Sequence, residues 1–271
     1  MAFALLTIII GAAGASSVSV LEPYNATVNH GGSILLGKDG PGQTFYVTIS
    51  AVTTNSSGTV FSRGWNKMVA TGVPSGWIVQ NSSQNGAELS VKIDPSPSAA
   101  NGTYAFNLTA INTGNYSKLG SVEFGALINI TPDVFKLQVT PTQISTGPGQ
   151  PASIYVTINN TGVSDSPFII NMTGLPAWNT SKSVIALHGT VGNFTYPVYE
   201  NEPGVYQAQL NVSSGSSPLV YKKSGVTLSI QASLLNDYNA VGQGAIAFPI
   251  IYQPVYAIMY IISQILNVAG L

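Results

Sequence analysis

One order of short sequence elements occurs twice in this chain, about 100 residues apart, the spacing of a repeated domain. Pro41-Gly42-Gln43 leads into the alternating run TFYVTIS (44–50), and Pro148-Gly149-Gln150 leads into SIYVTIN (153–159). GVPSGW (72–77) is answered by GLPAW (174–178), and NGTYAFNLTA (101–110) by PGVYQAQLNV (203–212). The runs alternate apolar and polar residues and are rich in β-branched side chains, which is the pattern of half-buried strands. No helical period occurs from Ser17 to Ala232. Each repeat therefore has the length and turn density of one antiparallel β-sandwich. Val47, Ile49, Leu108, Val156, Ile158 and Leu210 are expected to face inward. Gly102-Thr103-Tyr104 and Gly204-Val205-Tyr206 each open a late strand, where the tyrosine is either a tyrosine corner or an aromatic core residue.

The repeats have no cysteine, so neither disulfides nor thiol chemistry is available, and the cores alone must hold them. Charged residues are 7% of the 271-residue chain and the net charge is −1, against about 25% charged residues in ordinary soluble proteins. This excludes the basic stripe that nucleic acid or anionic lipid requires.

Something other than charge must then solvate the surface. Asn-x-Ser/Thr acceptor sequences, with x not proline, occur at Asn25, Asn55, Asn81, Asn101, Asn107, Asn115, Asn129, Asn159, Asn171, Asn179, Asn193 and Asn211. In YAFNLTA, Tyr104, Phe106 and Leu108 share one strand face and Asn107 takes the other; YQAQLNV places Asn211 opposite Tyr206, Ala208 and Leu210 in the same way. These twelve are expected to carry N-linked glycans, hence to be exposed.

Both ends are apolar. MAFALLTIIIGAAGASS has an apolar block, Phe3–Ile10, followed by the small-x-small sequence Ala13-Gly14-Ala15, the form of a secretory signal peptide. No charged residue follows Asp237. Residues 245–268 are long enough for a transmembrane helix, since a bilayer core needs about 20 apolar residues and lipid requires all backbone groups to be paired within the segment. At about 100° per residue, Gln253, Tyr256, Tyr260, Gln264 and Asn267 gather on one stripe of that helix. Amide side chains cost free energy against lipid but bond across a helix interface. The stripe is expected to contact another transmembrane helix, its own copy or a partner's.

Catalytic signals are thin. His30 in HGGS lacks any G-x-S-x-G nucleophile and reads as a turn. His188 has no second histidine at metal-ligand spacing. Glu200 and Glu202 in YENEPG read as an exposed turn, because paired glycosidase carboxylates come from different strands. Asp237 lies in linker-like sequence without a bidentate glutamate at calcium-loop spacing. Repeat 1 also carries an insertion, VFSRGWNKMVA (60–70), with the chain's sole arginine, Arg63, and an extra Trp65. It is either a contact loop or a strand with a packed tryptophan. No enzyme, cofactor or metal is expected.

The order PGQ, YVTI-N, G-[VL]-P-x-W, G-x-Y resembles the immunoglobulin-like domains first noted beside α-galactosidases, over about Ser19 to Ile230. That resemblance implies spacer or adhesive modules of archaeal and bacterial surface proteins, without catalytic residues. The expected fold class is all-β: two tandem Ig-like antiparallel sandwiches and a single C-terminal transmembrane α-helix. The expected parts are a signal peptide (1–15), domain 1 (16–131), domain 2 (132–232), a linker (233–244) and the helix (245–268). The layout is similar to the small anchoring subunits of archaeal surface layers, without the coiled-coil stalk of the best-known ones. The implied protein is a membrane-anchored glycoprotein of the cell surface, ectodomain outside and C-terminus inside. Its partners would be membrane lipid and a surface-layer or transmembrane protein, or a second copy. An extracytoplasmic accessory subunit of a membrane complex and a subunit of an adhesive filament are the alternatives.

Overall fold

The computed structural model describes residues 17–54, 60–62, 64–83, 86–114, 119–176 and 180–231. The expected signal peptide, linker and transmembrane helix lie outside the described residues, among which no helix is long and apolar enough to cross a membrane. The chain divides into two compact units. One runs to Val134 and also takes in Gly162–Asp165; the other comprises Phe135–Thr161 and the chain from Ser166 onward.

The strands of the first unit are β1 (Ser17–Glu22), β2 (Ala26–Asn29), β3 (Ser33–Asp39), β4 (Phe45–Ser50), β5 (Thr53–Thr54), β6 (Val60–Phe61), β7 (Lys67–Thr71), β8 (Ile78–Gln80), β9 (Ser82–Ser83), β10 (Glu88–Asp94), β11 (Gly102–Ile111) and β12 (Ser121–Ile130). They form one sheet in the order β2-β1-β4-β10-β8 and another in the order β3-β12-β11-β7-β9, with β5 and β6 as a small hairpin. In the second unit follow β13 (Phe135–Thr140), β14 (Gln143–Thr146), β15 (Ala152–Asn160), β16 (Ser166–Thr173), β17 (Ser181–Ala186), β18 (Val191–Val198), β19 (Gly204–Ser214) and β20 (Tyr221–Ile230). Their sheets are β13-β15-β18 and β14-β20-β19-β16-β17.

Both units are immunoglobulin-like sandwiches of one plan. The opening strand pairs antiparallel in one sheet (β1 with β4, β13 with β15). The chain then crosses to the other sheet, where β3 and β14 lie parallel to the last strands, β12 and β20. The sandwiches are thus mixed at this one edge, not purely antiparallel as expected from alternation alone.

Alternation does place the cores. Val47, Ile49, Leu108, Val156, Ile158 and Leu210 are all buried. Phe45 meets Phe106 across the first core at 6.4 Å between ring centroids, and Phe135 meets Phe168 in the second at 4.8 Å. Each such side chain removed from water contributes about 1.5–3 kcal/mol, which lets both units stand without disulfides.

The repeated motifs form matching local structures. In Gly40-Pro41-Gly42-Gln43, the Gln43 amide donates to the Gly40 carbonyl (3.1 Å), and Gly40 N–H donates to Gln43 Oε1 (2.9 Å). Gly147-Pro148-Gly149-Gln150 repeats both bonds, at 3.1 and 3.0 Å. Proline presets φ for the second position of the turn, and the third needs positive φ, which Gly42 (+74°) and Gly149 (+68°) adopt. The buried glutamines occupy donors that burial would otherwise leave unpaired. Tyr104 donates to the carbonyl of Ala100 (2.9 Å) and Tyr206 to that of Glu202 (3.0 Å). Both are tyrosine corners. Trp77 packs on Tyr104 at 5.2 Å, while Trp178 lies outside the described residues.

Candidate glycan-acceptor surface

The acceptor asparagines lie on outward strand positions and in turns because each strand's alternate positions are spent on the core. Asn25, Asn81, Asn101, Asn107, Asn129 and Asn193 are exposed; Asn159, Asn171 and Asn211 are half-buried but outward. Asn55, Asn115 and Asn179 lie outside the described residues, as do Gln253, Tyr256, Tyr260, Gln264 and Asn267. Several of the side chains are oriented by neighbours. Asn107 Nδ2 donates to Glu123 Oε1 (3.0 Å), Asn81 Oδ1 accepts from Ala70 N–H (3.0 Å), and Asn193 Oδ1 accepts from Thr157 Oγ1 (2.8 Å).

Asn171 and Asn211 are direct cross-strand partners on β16 and β19. Their Oδ1 atoms are buried and without a hydrogen bond. Facing Cβ atoms in such a pair are about 4.5–5.5 Å apart, so these two acceptors share one place on the sheet. Strand parity alone points both outward; only the register, set by distant parts of the chain, brings them face to face.

Two of the residues weighed for chemistry, His30 and Glu200, take part in local hydrogen bonding. His30 lies in the turn between β2 and β3, its Nδ1 accepting from Glu123 N–H (3.1 Å). Glu200 is fully buried, which corrects the expectation of an exposed turn; Glu202 alone is exposed. Glu200 Oε1 accepts from the amides of Asn201 (2.8 Å) and Glu202 (3.4 Å), bonds that offset its desolvation and brace the second tyrosine corner. Trp65 is buried in the first core, so the insertion does not present it as a contact surface; Arg63 lies outside the described residues. Among the described residues no cluster of histidine and carboxylate side chains is arranged to hold a metal.

A second buried carboxyl lies in the first unit. Asp39 is fully buried at the end of β3; its Oδ1 accepts from Ser164 Oγ (2.8 Å) and its Oδ2 has no hydrogen bond. Burial pushes its pKa up from 3.8 to about 8, against the opposing hydrogen bonds from Ser164 and Gly40. The repeat itself carried a hint. Asp39 immediately precedes Gly-Pro-Gly-Gln in the first repeat, and Thr146 stands there in the second.

No protein-family model and no curated protein sequence matches this chain. Solved structures with a similar course include the adhesin InvE of Yersinia pseudotuberculosis, at 13% identity and TM-score 0.26, matched over 79% of this chain and 59% of that one. A chimeric titin Z1Z2 carrying a decorin peptide matches at 11% identity and TM-score 0.35, over 81% of this chain and 99% of its own. The D00–D0 region of intimin matches at 13% identity and TM-score 0.25, over 80% and 100%. The fold assignment rests on strand order and the two tyrosine corners.

Proposed function

We propose that this chain is a non-enzymatic glycoprotein of the cell surface, held to the membrane by residues 245–268 and serving as an anchoring or structural subunit of a surface layer. The observation that carries the reading is the placement of the acceptor asparagines. All nine described ones face outward or lie in turns, and six are exposed. In a chain with 7% charged residues, such glycans would supply the hydration that charge does not. The uncharged C-terminal run supports a single-pass anchor with the sandwiches outside, and its polar stripe supports docking to a second transmembrane helix.

The experiment has two readouts. Membranes washed with alkaline carbonate are extracted in mild detergent, and the purified protein is weighed before and after deglycosylation. The reading expects retention in the membrane, a native mass above that of the bare chain, and a copurifying lattice protein. Release by carbonate would remove the anchor, a bare mass would remove the glycoprotein, and a stoichiometric polytopic companion would favour the accessory-subunit alternative.

A further inference from the structure

An apolar row lies on the outer face of the sheet β3-β12-β11-β7-β9 of the first unit. Leu35 on β3, Leu127 on β12 and Ala105 on β11 are register neighbours, all on outward positions. Leu35 is 58% exposed. Tyr24, whose hydroxyl donates to the Leu35 carbonyl, borders the row. Two acceptor asparagines bracket it on the same face: Asn129 lies two residues beyond Leu127 on β12, and Asn107 two residues beyond Ala105 on β11. Each is about 7 Å along its strand from the row. Asn129 pairs with Thr103 on one side of the row, Asn107 with Gly125 on the other.

The second unit is an internal control. The row equivalent to Leu35–Leu127–Ala105 is Gln143–Thr227–Gln207, again register neighbours. It is polar throughout, and Thr227 Oγ1 donates to Gln207 Oε1 (2.9 Å). The places of Asn107 and Asn129 are taken there by Gln209 and Ser229, neither of which is an acceptor. Where the row is apolar, acceptors flank it; where the row makes its own hydrogen bonds, they are gone.

Resting on the glycoprotein reading, we propose that the oligosaccharides on Asn107 and Asn129 lie across the Leu35–Leu127–Ala105 row and shield it from water. Sugar rings have an apolar face of C–H groups that packs on aliphatic side chains and a hydroxyl rim that stays wet. A pair reaching in from opposite sides suits a strip too exposed to leave bare and too narrow for a stable protein interface. Attachment joins the asparagine Nδ2 to the anomeric carbon of a diphosphate-linked oligosaccharide donor. The carbon–oxygen bond to phosphate breaks, the diphosphate leaves with its electron pair, and Nδ2 gives up one of its two protons to a base. At Asn107 the remaining N–H still donates to Glu123, which holds the first sugar in a set direction.

The test is hydroxyl-radical footprinting of the full-length glycoprotein in detergent, read residue by residue by mass spectrometry alongside glycopeptide mapping. Asn107→Gln/Asn129→Gln is compared with the native protein, and Thr109→Ala/Thr131→Ala removes the same two acceptor sequences while keeping both asparagines. Leu35 and Leu127 are expected to oxidise several-fold faster in both double variants. Leu187 and Leu219, exposed elsewhere, keep their rates. Unchanged rates at Leu35 would overturn the proposal and assign the row to a protein partner or a second copy. Sugar found at other acceptors but at neither Asn107 nor Asn129 overturns this inference alone. Sugar at no site overturns the glycoprotein reading beneath it.

Discussion

Asp39 contributes to the stability of the first unit most in acid. The folded-state pKa is about 8 against 3.8 for the free group. Below pH 4 both folded and unfolded chains carry the proton and the buried carboxyl costs little. Above that, the unfolded chain ionises while the folded one keeps its proton, so stability falls by about 1.4 kcal/mol per pH unit until the folded pKa is passed. At pH 7 the loss relative to pH 4 is of order 4 kcal/mol, comparable with the whole stability of many domains. Asp39→Asn removes the titration, as does Asp39→Thr, which installs the residue of the second repeat. At pH 4 the asparagine variant is no better than the native protein, because its Nδ2 occupies the place of Oδ2, which has no partner. At pH 7 and above, both variants are more stable than the native protein. The assay is urea unfolding of full-length protein at several pH values from 4 to 8, followed by tryptophan fluorescence. Two of the three tryptophans, Trp65 and Trp77, lie in the first unit. All other carboxylates cancel in the native-minus-variant difference. Native and variant midpoints that run parallel from pH 4 to 8 would refute the argument.

Three further outcomes follow from the structure and sequence. Tyr104→Phe and Tyr206→Phe each lose the hydroxyl bond to an upstream carbonyl and should cost about 1 kcal/mol in urea titrations; unchanged midpoints would deny the corners a stabilising role. Gly174→Ala places a Cβ 2.9 Å from the Gln207 carbonyl oxygen at φ +94°, whereas Gly72→Ala at the equivalent place meets nothing within 4 Å at φ +67°. Gly72→Ala should therefore cost about 1 kcal/mol of left-handed backbone strain and Gly174→Ala clearly more, with equal losses counting against the geometry. Replacing Gln253, Tyr260 and Gln264 together with leucine should leave membrane insertion intact and abolish crosslinking to a partner helix; unaltered crosslinks would make the segment a plain anchor.

Much of the sandwich was legible because strand parity is local. Alternation in TFYVTIS and SIYVTIN sorted core from surface, and the repeat marked the Pro-Gly-Gln segments and offered the tyrosine corners as one of two readings. What escaped depends on partners distant in sequence. The parallel pairing of β3 with β12 is invisible to periodicity, because a parallel and an antiparallel neighbour ask the same alternation of a strand. Asn171 and Asn211 each declare a face but not each other. Glu200 and Asp39 look like surface residues by type; backbone donors offset the burial of Glu200, and Asp39 meets its burial by keeping its proton. For Trp65 the sequence left a contact loop and a strand with a packed tryptophan both open, and its burial in the core favours the second.

The parallel edge has a mechanical consequence. β3 stands near the start of its unit and β12 closes it, side by side and in the same direction. A pull that draws the start of β3 away from the end of β12 loads their slanted hydrogen bonds in shear, so they share the force instead of opening one after another like a zip. The second unit repeats the arrangement with β14 and β20, but over four paired residues where the first has six. At this edge the second unit therefore has fewer bonds among which to divide a load than the first.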